Sequence, residues 1–406
     1  MKIIKTDYIL TPNKVLSKKC VAFDEKIVGI DDFESLKKRF QDAKVIDCGK
    51  NSCLLPGFIN LHTHLEFSSN RATLKYGDFL VWLNSVIKNR EELIKSCDFN
   101  CIDKAIASML KNGTTTFGAI SSFGEDLKAC VDAPQRVIYF NEIIGSNPAT
   151  ADIAYSDFLD RVRKSLKYKD DRFIPAVAIH SPYSVHRVLA KKAIDFAKEN
   201  SLFISTHFME SRAEREWIDS AKGDFQKFFK EFLNQTIPAN RAKDFINLFK
   251  GTKSLFVHAV WANDEELDII NKEGHTIVHC PTSNRLLGNG RLNIKKIKNI
   301  GINLSIATDG LSSNYSLNMY EELKNALFMH YDIDLIDLSF DLLRAATINP
   351  AKAINLNTGE IEIGKCADFQ VVKLPDDFKN EEEIALSIIL HTKKPKSVFI
   401  GGKEYV

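Results

Sequence analysis

The chain has 406 residues, of which 44% are hydrophobic, and its 55 lysines and arginines almost balance 53 aspartates and glutamates for a net charge of +2. That length supports a large core and allows more than one domain, although a single α/β barrel can take up well over half of it. Near-neutrality offers no general attraction to nucleic acid or anionic lipid, so a small, non-polymeric substrate is expected.

The first residues, "MKIIKTDYIL", are too short and too charged for a signal peptide. No apolar run approaches the roughly 18 residues of a membrane span, so a cytoplasmic protein without a membrane partner is expected. Residues 1–53 carry short β-like runs ("KIIKTDYIL", "KKCVAFDEKIVGI", "KVIDCGK") around one helical piece, and 360–406 carry "ADFQVVKL" and "SVFIGGKEYV". Neither end has enough apolar surface to stand alone. The two are expected to pair into one composite β domain, 1–53 with 360–406, beside a barrel over 54–359.

From residue 54 to 309, eight apolar runs of strand length follow one another: "LLPGFIN", "TTTFGAI", "RVIYFNEIIG", "FIPAVAIH", "LFISTHF", "SLFVHAV", "HTIVHCP" and "GINLSIATDG". Between them lie segments of helical spacing such as "YGDFLVWLNSVIKNREELIK", "CIDKAIASMLKN", "VLAKKAIDFAKEN" and "NDEELDIINKEG". Buried strands alternating with helices imply a parallel sheet, and eight such units imply a closed (β/α)8 TIM barrel, an α/β fold. One βα segment, about 211–250, is oversized and contains "DFQKFFKEFLNQTIP"; insertions above a barrel often serve as lids. After the barrel, "INPAKAINL" is expected to be helical. The eight cysteines form no C-x-x-C pair and are expected to be reduced thiols, mostly in cores. Cys280, beside His279, has the two readings of soft ligand and small buried hydrophobe.

The C-terminal strand ends are where barrel enzymes place their chemistry. Strand one ends in His62 and His64, which a period of two puts on one side of the strand. The third ends in Asn141 and Glu142, the fourth in His180, the fifth in His207, the sixth in His258, the seventh in His279 and the eighth in Asp309. A lone strand histidine is more often a satisfied core residue than a ligand, but scattered core histidines have no reason to choose the same end of a barrel. His186, His275, His330 and His391 fall elsewhere and read as structural or surface residues.

His62, His64, His207 and Asp309 supply three neutral nitrogens and a carboxylate, a set suited to one divalent metal, Zn²⁺ or Fe²⁺, with a position left for water. Such a metal makes a water-derived nucleophile available at neutral pH. No lysine ends strand four, where a carboxylated lysine could bridge two metals, which favours a single ion. Glu210, three residues after His207, is placed to shuttle protons to a ring nitrogen and a leaving amine, or else is an ordinary first-turn acid. His258 is left to orient the nucleophile, and Asp309 to accept its proton.

The ordered segments "PGFINLHTHLE", "HFMES", "VHAVWANDEEL", "HCPTSNRLLGNG", "ATDGLSSN" and "AATINPAKAINLNTGEIEIGKCADFQVV" resemble the amidohydrolase superfamily, in its single-metal branch of purine- and pterin-type deaminases and chlorohydrolases. The resemblance spans nearly the whole chain. It implies the same ligands, Glu210 as proton shuttle and His258 as the orienting imidazole, and that His180 in "HSPYS" and Asn284 face substrate. Within the branch, "HTHLEFS", which includes Glu66, and "YFNEIIG" are most similar to the aminofutalosine deaminases of menaquinone biosynthesis. That implies removal of the 6-amino group of 6-amino-6-deoxyfutalosine, a nucleoside.

S-adenosylhomocysteine and methylthioadenosine deaminases are similar too, and Glu91 matches an acid they set on the ribose hydroxyls, although a solvated helix acid is the other reading. They carry arginine after strand three, where this chain has Asn141 and Glu142. A benzoate arm needs a cation at the pocket mouth, for which Arg285 is the candidate. Alternatives are a guanine deaminase, a chlorohydrolase and, from another class, a catalytically inactive barrel scaffold; a homodimer stays open.

Overall fold

The computed structural model describes residues 1–406 apart from 12–13, 71–73 and 377 and the side chains of 90, 91 and 93–95. Eight strands follow in sequential order around one sheet: β1 (Phe58–Thr63), β2 (Thr114–Ser121), β3 (Arg136–Ile143), β4 (Phe173–Ile179), β5 (Ile204–Phe208), β6 (Ser254–His258), β7 (Thr276–His279) and β8 (Asn303–Ile306). From β3 to β8 the registered neighbours are all parallel. Beyond β8 the chain reaches the first strand again, where the Asp309 amide donates to the His62 carbonyl at 3.1 Å. Together with the helices between them, these strands form the expected (β/α)8 barrel. Gly310 permits the close approach, because a Cβ there would stand 2.8 Å from the Cβ of His64.

Strand β1 is buried at every position, as a strand covered on both faces must be. The run "LLPGFIN", expected as one strand, is two. Ser52–Pro56 pairs antiparallel with Phe369–Lys373 in a different, six-stranded sheet, and Phe58 opens the barrel strand. The break falls where Pro56 lacks an amide donor and where a Cβ on Gly57 would stand 2.2 Å from the Thr115 side chain. Apolar periodicity is the same on both sides of the break, so pattern alone does not reveal it.

The helices start where local chemistry lets them. Asn263 and Glu266 form a reciprocal capping box before Asp264–Lys272, and Asp334 caps Leu335–Ala345 through two backbone amides. Between β5 and β6 the long segment folds into helices Arg212–Ser220, Asp224–Leu233 and Ala242–Ile246. "INPAKAINL" is helical over Ile348–Ala353. The terminal segments form the six-stranded sheet and a four-stranded one, and Phe23, Phe369 and Phe399 pack ring to ring in their core.

Cysteine chemistry departs from expectation at one place: Cys97 and Cys101 are joined in a disulfide. A separation of four residues at the start of helix Phe99–Lys111 brings their Cα atoms to 5.2 Å, within bridging range. Cys20, Cys48, Cys53, Cys130 and Cys280 are buried and Cys366 is partly exposed, all six outside any disulfide.

The chain divides into two compact units, Met1–Asn60 with Ala107–Phe117 and Asn318–Val406, and Leu61–Ile106 with Gly118–Leu317. All the residues of the site below belong to the second. Among the described residues no helix is long and apolar enough to cross a membrane.

Candidate metal centre and its cavity

His62 lies within β1 and His64 one residue past its end, so both imidazoles leave on one face and their Nε2 atoms stand 3.2 Å apart. From β5, His207 brings its Nε2 to 3.2 Å from that of His62. Asp309 Oδ1 lies 3.6 Å from the Nε2 of both His62 and His64. A tetrahedral ion with metal–nitrogen bonds of about 2.0–2.1 Å needs its nitrogens about 3.3 Å apart. The donor set fits a divalent metal in spacing as well as in type, and His62 falls into two ligating groups, with His64 and His207 and with His258 and Asp309.

The supporting hydrogen bonds fix which atom each side chain presents. His207 Nδ1–H donates to the His180 carbonyl at 2.8 Å, leaving Nε2 as a lone pair aimed at His62. His258 Nδ1–H donates to Asn284 Oδ1 at 2.9 Å, leaving its Nε2 3.7 Å from Glu210 Oε1. Asp309 accepts from the Ser283 hydroxyl at 2.8 Å and the Gly310 amide at 2.7 Å. His258, Ala259 and Asp309 hold φ values of 69°, 52° and 62°. Such left-handed conformations cost roughly 1–3 kcal/mol each for residues with a Cβ and collect at functional sites.

Burial sets the charges. It pushes the imidazoles down, His62 well below its ordinary value with help from neighbouring imidazoles, His207 and His180 to about 3, and His258 also downward. All four are neutral imidazoles, the form that ligates. Burial alone would raise Asp309, but the imidazoles of His64, His258 and His207 and the Ser283 hydroxyl outweigh it and hold the carboxyl below its usual range. Glu210 goes the other way, well up, through burial first and then the charges of Asp309 and Glu214.

Glu210 is held by two partners that motif reading did not find, Asn289 and Glu214. Asn289 Nδ2 donates to its Oε1 at 3.0 Å, while the backbone amides of Met209 and Glu210 donate to the Glu214 carboxylate at 3.1 and 2.7 Å. Ser211 Oγ accepts from the Glu214 amide at 3.1 Å. The spacing of Ser211 and Glu214 is that of a capping box, a signal the sequence carries in "SRAE".

A cavity of about 510 Å³ opens over these groups, touching His64, His180, His207, Glu210, His258 and Asp309. Phe79, Trp82, Val86 and Ile87 of helix Phe79–Lys95 line one side, with Phe228, Phe229 and Leu233 of the expected lid segment. Trp82 is fixed by its indole N–H donating to the Ser312 carbonyl at 2.9 Å. Ser122, Phe123, Glu142 and Tyr183 complete the polar and aromatic wall. No lysine or arginine is among the described residues lining it.

Three residues expected at the substrate, Asn284, Glu66 and Arg285, are placed differently. Asn284 is fully buried and bridges two imidazoles, His258 at 2.9 Å and His279 at 3.5 Å, instead of lining the cavity. Glu66 turns away to accept from the amides of Ser122, Phe123 and Glu125 at 2.7, 3.1 and 2.9 Å. Burial first, and Asp126 second, push its carboxyl up to about 8 against the pull of those amides. Arg285 is exposed on helix Pro281–Leu286 and is not part of the lining. Glu91 lies in helix Phe79–Lys95, and its side chain is outside the described residues. His180 lies on the cavity wall with Nδ1 on Ser184 Oγ at 2.6 Å.

A parallel barrel whose C-terminal strand ends gather imidazoles and a carboxylate at ligating distance defines a class of hydrolase scaffold. The chain belongs to the amidohydrolase family, which it matches over residues 53–405. It is 55% identical over its full 406 residues, and the relative's full length, to an aminodeoxyfutalosine deaminase of a Nitratiruptor species. It is 38% identical to an adenosine deaminase of Helicobacter pylori, covering 97% of this chain and 96% of that one. The crystal structure of H. pylori aminofutalosine deaminase in complex with methylthio-coformycin superposes with a TM-score of 0.95 at 36% identity, covering both chains completely.

Proposed function

We propose that the protein is a hydrolytic deaminase that removes the 6-amino group of aminodeoxyfutalosine, working in the cytoplasm with one divalent metal, Zn²⁺ before Fe²⁺. The observation that carries the substrate is the full-length, 55% identity to a protein of that activity. In this reading His62, His64, His207 and Asp309 hold the ion, which when bound supplies an activated water at neutral pH. Glu210, clamped by Asn289, delivers a proton to a purine ring nitrogen as water attacks C6. His258 orients that water through its free Nε2, and Asp309 takes up its proton. A second proton passed through Glu210 lets the amino group leave as ammonia, giving the 6-oxo product from substrate plus one water.

The lining favours a second reading on one point. With no lysine or arginine among its described residues, it presents neutral donors such as Ser146, Asn147 and Thr150 to the 5′ arm, and uncharged arms fit as well. Steady-state deamination of aminodeoxyfutalosine, adenosine, methylthioadenosine and S-adenosylhomocysteine separates the two. The expected order puts kcat/KM for aminodeoxyfutalosine first. A higher value for S-adenosylhomocysteine overturns the substrate assignment, and equal values for the uncharged nucleosides favour the broader reading.

A further inference from the structure

Glu142 ends β3 on the cavity wall, 1% exposed, and the chemistry above leaves it without a role. One carboxylate oxygen accepts from the Ser122 hydroxyl at 2.5 Å, whereas the other, Oε1, is buried with no hydrogen-bond partner. Arg161 does not relieve it, since it donates to the Glu142 main-chain carbonyl at 2.8 Å and not to the carboxylate. An acceptor-only group that is desolvated and unmatched is costly, so a ligand donor is its natural complement. A cation is a poorer one. Glu142, His180 and His207 do come within ligating distance of one another, but His207 has spent Nδ1 on a carbonyl and Nε2 on the His62 cluster, and His180 has spent Nδ1 on Ser184.

We propose that Glu142 binds a ribose hydroxyl of the substrate and sets the enzyme's selectivity for ribonucleosides, an inference that rests on the nucleoside-deaminase reading. The reacting carbon must lie against Glu210, His258 and Asp309, which stand at the C-terminal ends of β5, β6 and β8, so the rest of the molecule extends toward the β2–β4 wall where Ser122, Glu142 and His180 stand. Apart from the departing amino group, a 6-aminopurine nucleoside offers strong donors only at its sugar hydroxyls. Glu142 is built to stay in place for this. Glu66 clamps the 122–125 turn through three backbone amides, and Ser122 on that turn holds Glu142.

The test compares adenosine with 2′-deoxyadenosine and 3′-deoxyadenosine in the wild type, Glu142→Gln and Glu142→Ala, the glutamine variant being the isosteric control should the alanine variant fold poorly. Binding of inosine and its two deoxy forms, which are not consumed, is measured alongside by calorimetry. The wild type should lose roughly 10- to 150-fold in kcat/KM, and similarly in affinity, on at least one deoxy analogue, and Glu142→Ala should erase that difference by weakening only the ribonucleoside. Glu142→Gln should sit between them.

Active variants that keep the wild type's ribo-to-deoxy ratio, or a wild type that acts equally on both forms, would remove Glu142 from the sugar and leave the deaminase reading intact. Absent hydrolysis with Glu142-dependent preference for inosine over its deoxy form would keep the sugar contact and overturn the deaminase reading. Neither hydrolysis nor binding would overturn both.

Discussion

Glu210 and Asp309 are two carboxyls of one site that their surroundings drive in opposite directions. Asp309 sits among imidazoles and a serine hydroxyl that hold its carboxyl below the usual range, while Glu210 is buried with carboxylates for company and binds its proton more tightly than a free glutamate. Separated protonation preferences of this kind mark a division of labour between acceptor and donor. Replacement of Glu210 by glutamine keeps the Asn289 hydrogen-bond geometry within reach and removes the transferable proton. The expected result is a folded, metal-loaded Glu210→Gln protein whose kcat falls by about 10²- to 10⁴-fold. Elemental analysis checks the loading, and near-normal turnover in a loaded variant would assign the shuttle to another residue.

At the scale of elements, neighbouring strands β6 and β7 are tied at their N-terminal ends by a histidine outside the site. His275 is 1% exposed, packs at a tilt against Phe256 with ring centres 4.9 Å apart, and accepts from the Ser254 amide through Nδ1 at 3.1 Å. Burial pushes its pKa down to about 4. The unfolded chain, near 6.5, then binds more protons than the folded one between these values, so the stability held by neutral His275 is complete above about pH 6.5 and is lost as pH falls toward 4. Unfolding by urea should show the wild type losing about 2 kcal/mol more than His275→Asn between pH 7 and pH 4.5. Parallel pH profiles for the two proteins would discard this origin of acid sensitivity.

Element scale is also where legibility changes. The paired His62 and His64 and the strand-end placement of His207, His258 and Asp309 are readable because a period of two and a repeated strand–helix unit fix direction and end. The break at Pro56–Gly57 is not, because both sides are buried strand. Ser122 carries no motif, and "YFNEIIG", which holds Glu142, does not reveal its partner, because their meeting depends on the loop after β2 folding over the end of β3. Arg285 and Asn284 show the converse: adjacent in a motif, they point into solvent and into the imidazole cluster respectively.

For the whole molecule, the proposed ligands would tie β1, β5 and the segment after β8 together at one end of the barrel, so an ion bound there would stabilise the closed form and not the unfolded chain. Three imidazole nitrogens directed at one another across 3.2 Å, with a carboxylate at 3.6 Å, are a poor arrangement without a cation between them. Linkage then gives the size of the effect: at free metal 1,000 times the dissociation constant, binding adds about 4 kcal/mol to folding stability. Loaded wild-type protein should therefore melt several degrees above protein stripped with a chelator, and re-addition of Zn²⁺ should restore the difference. His207→Ala loses one of the nitrogens and should retain less metal by elemental analysis, melt near the stripped wild type and respond little to chelator. An equal chelator-induced drop in wild type and His207→Ala, at equal metal content, would place the stabilising ion elsewhere and dissolve the link between this cluster and closure of the barrel.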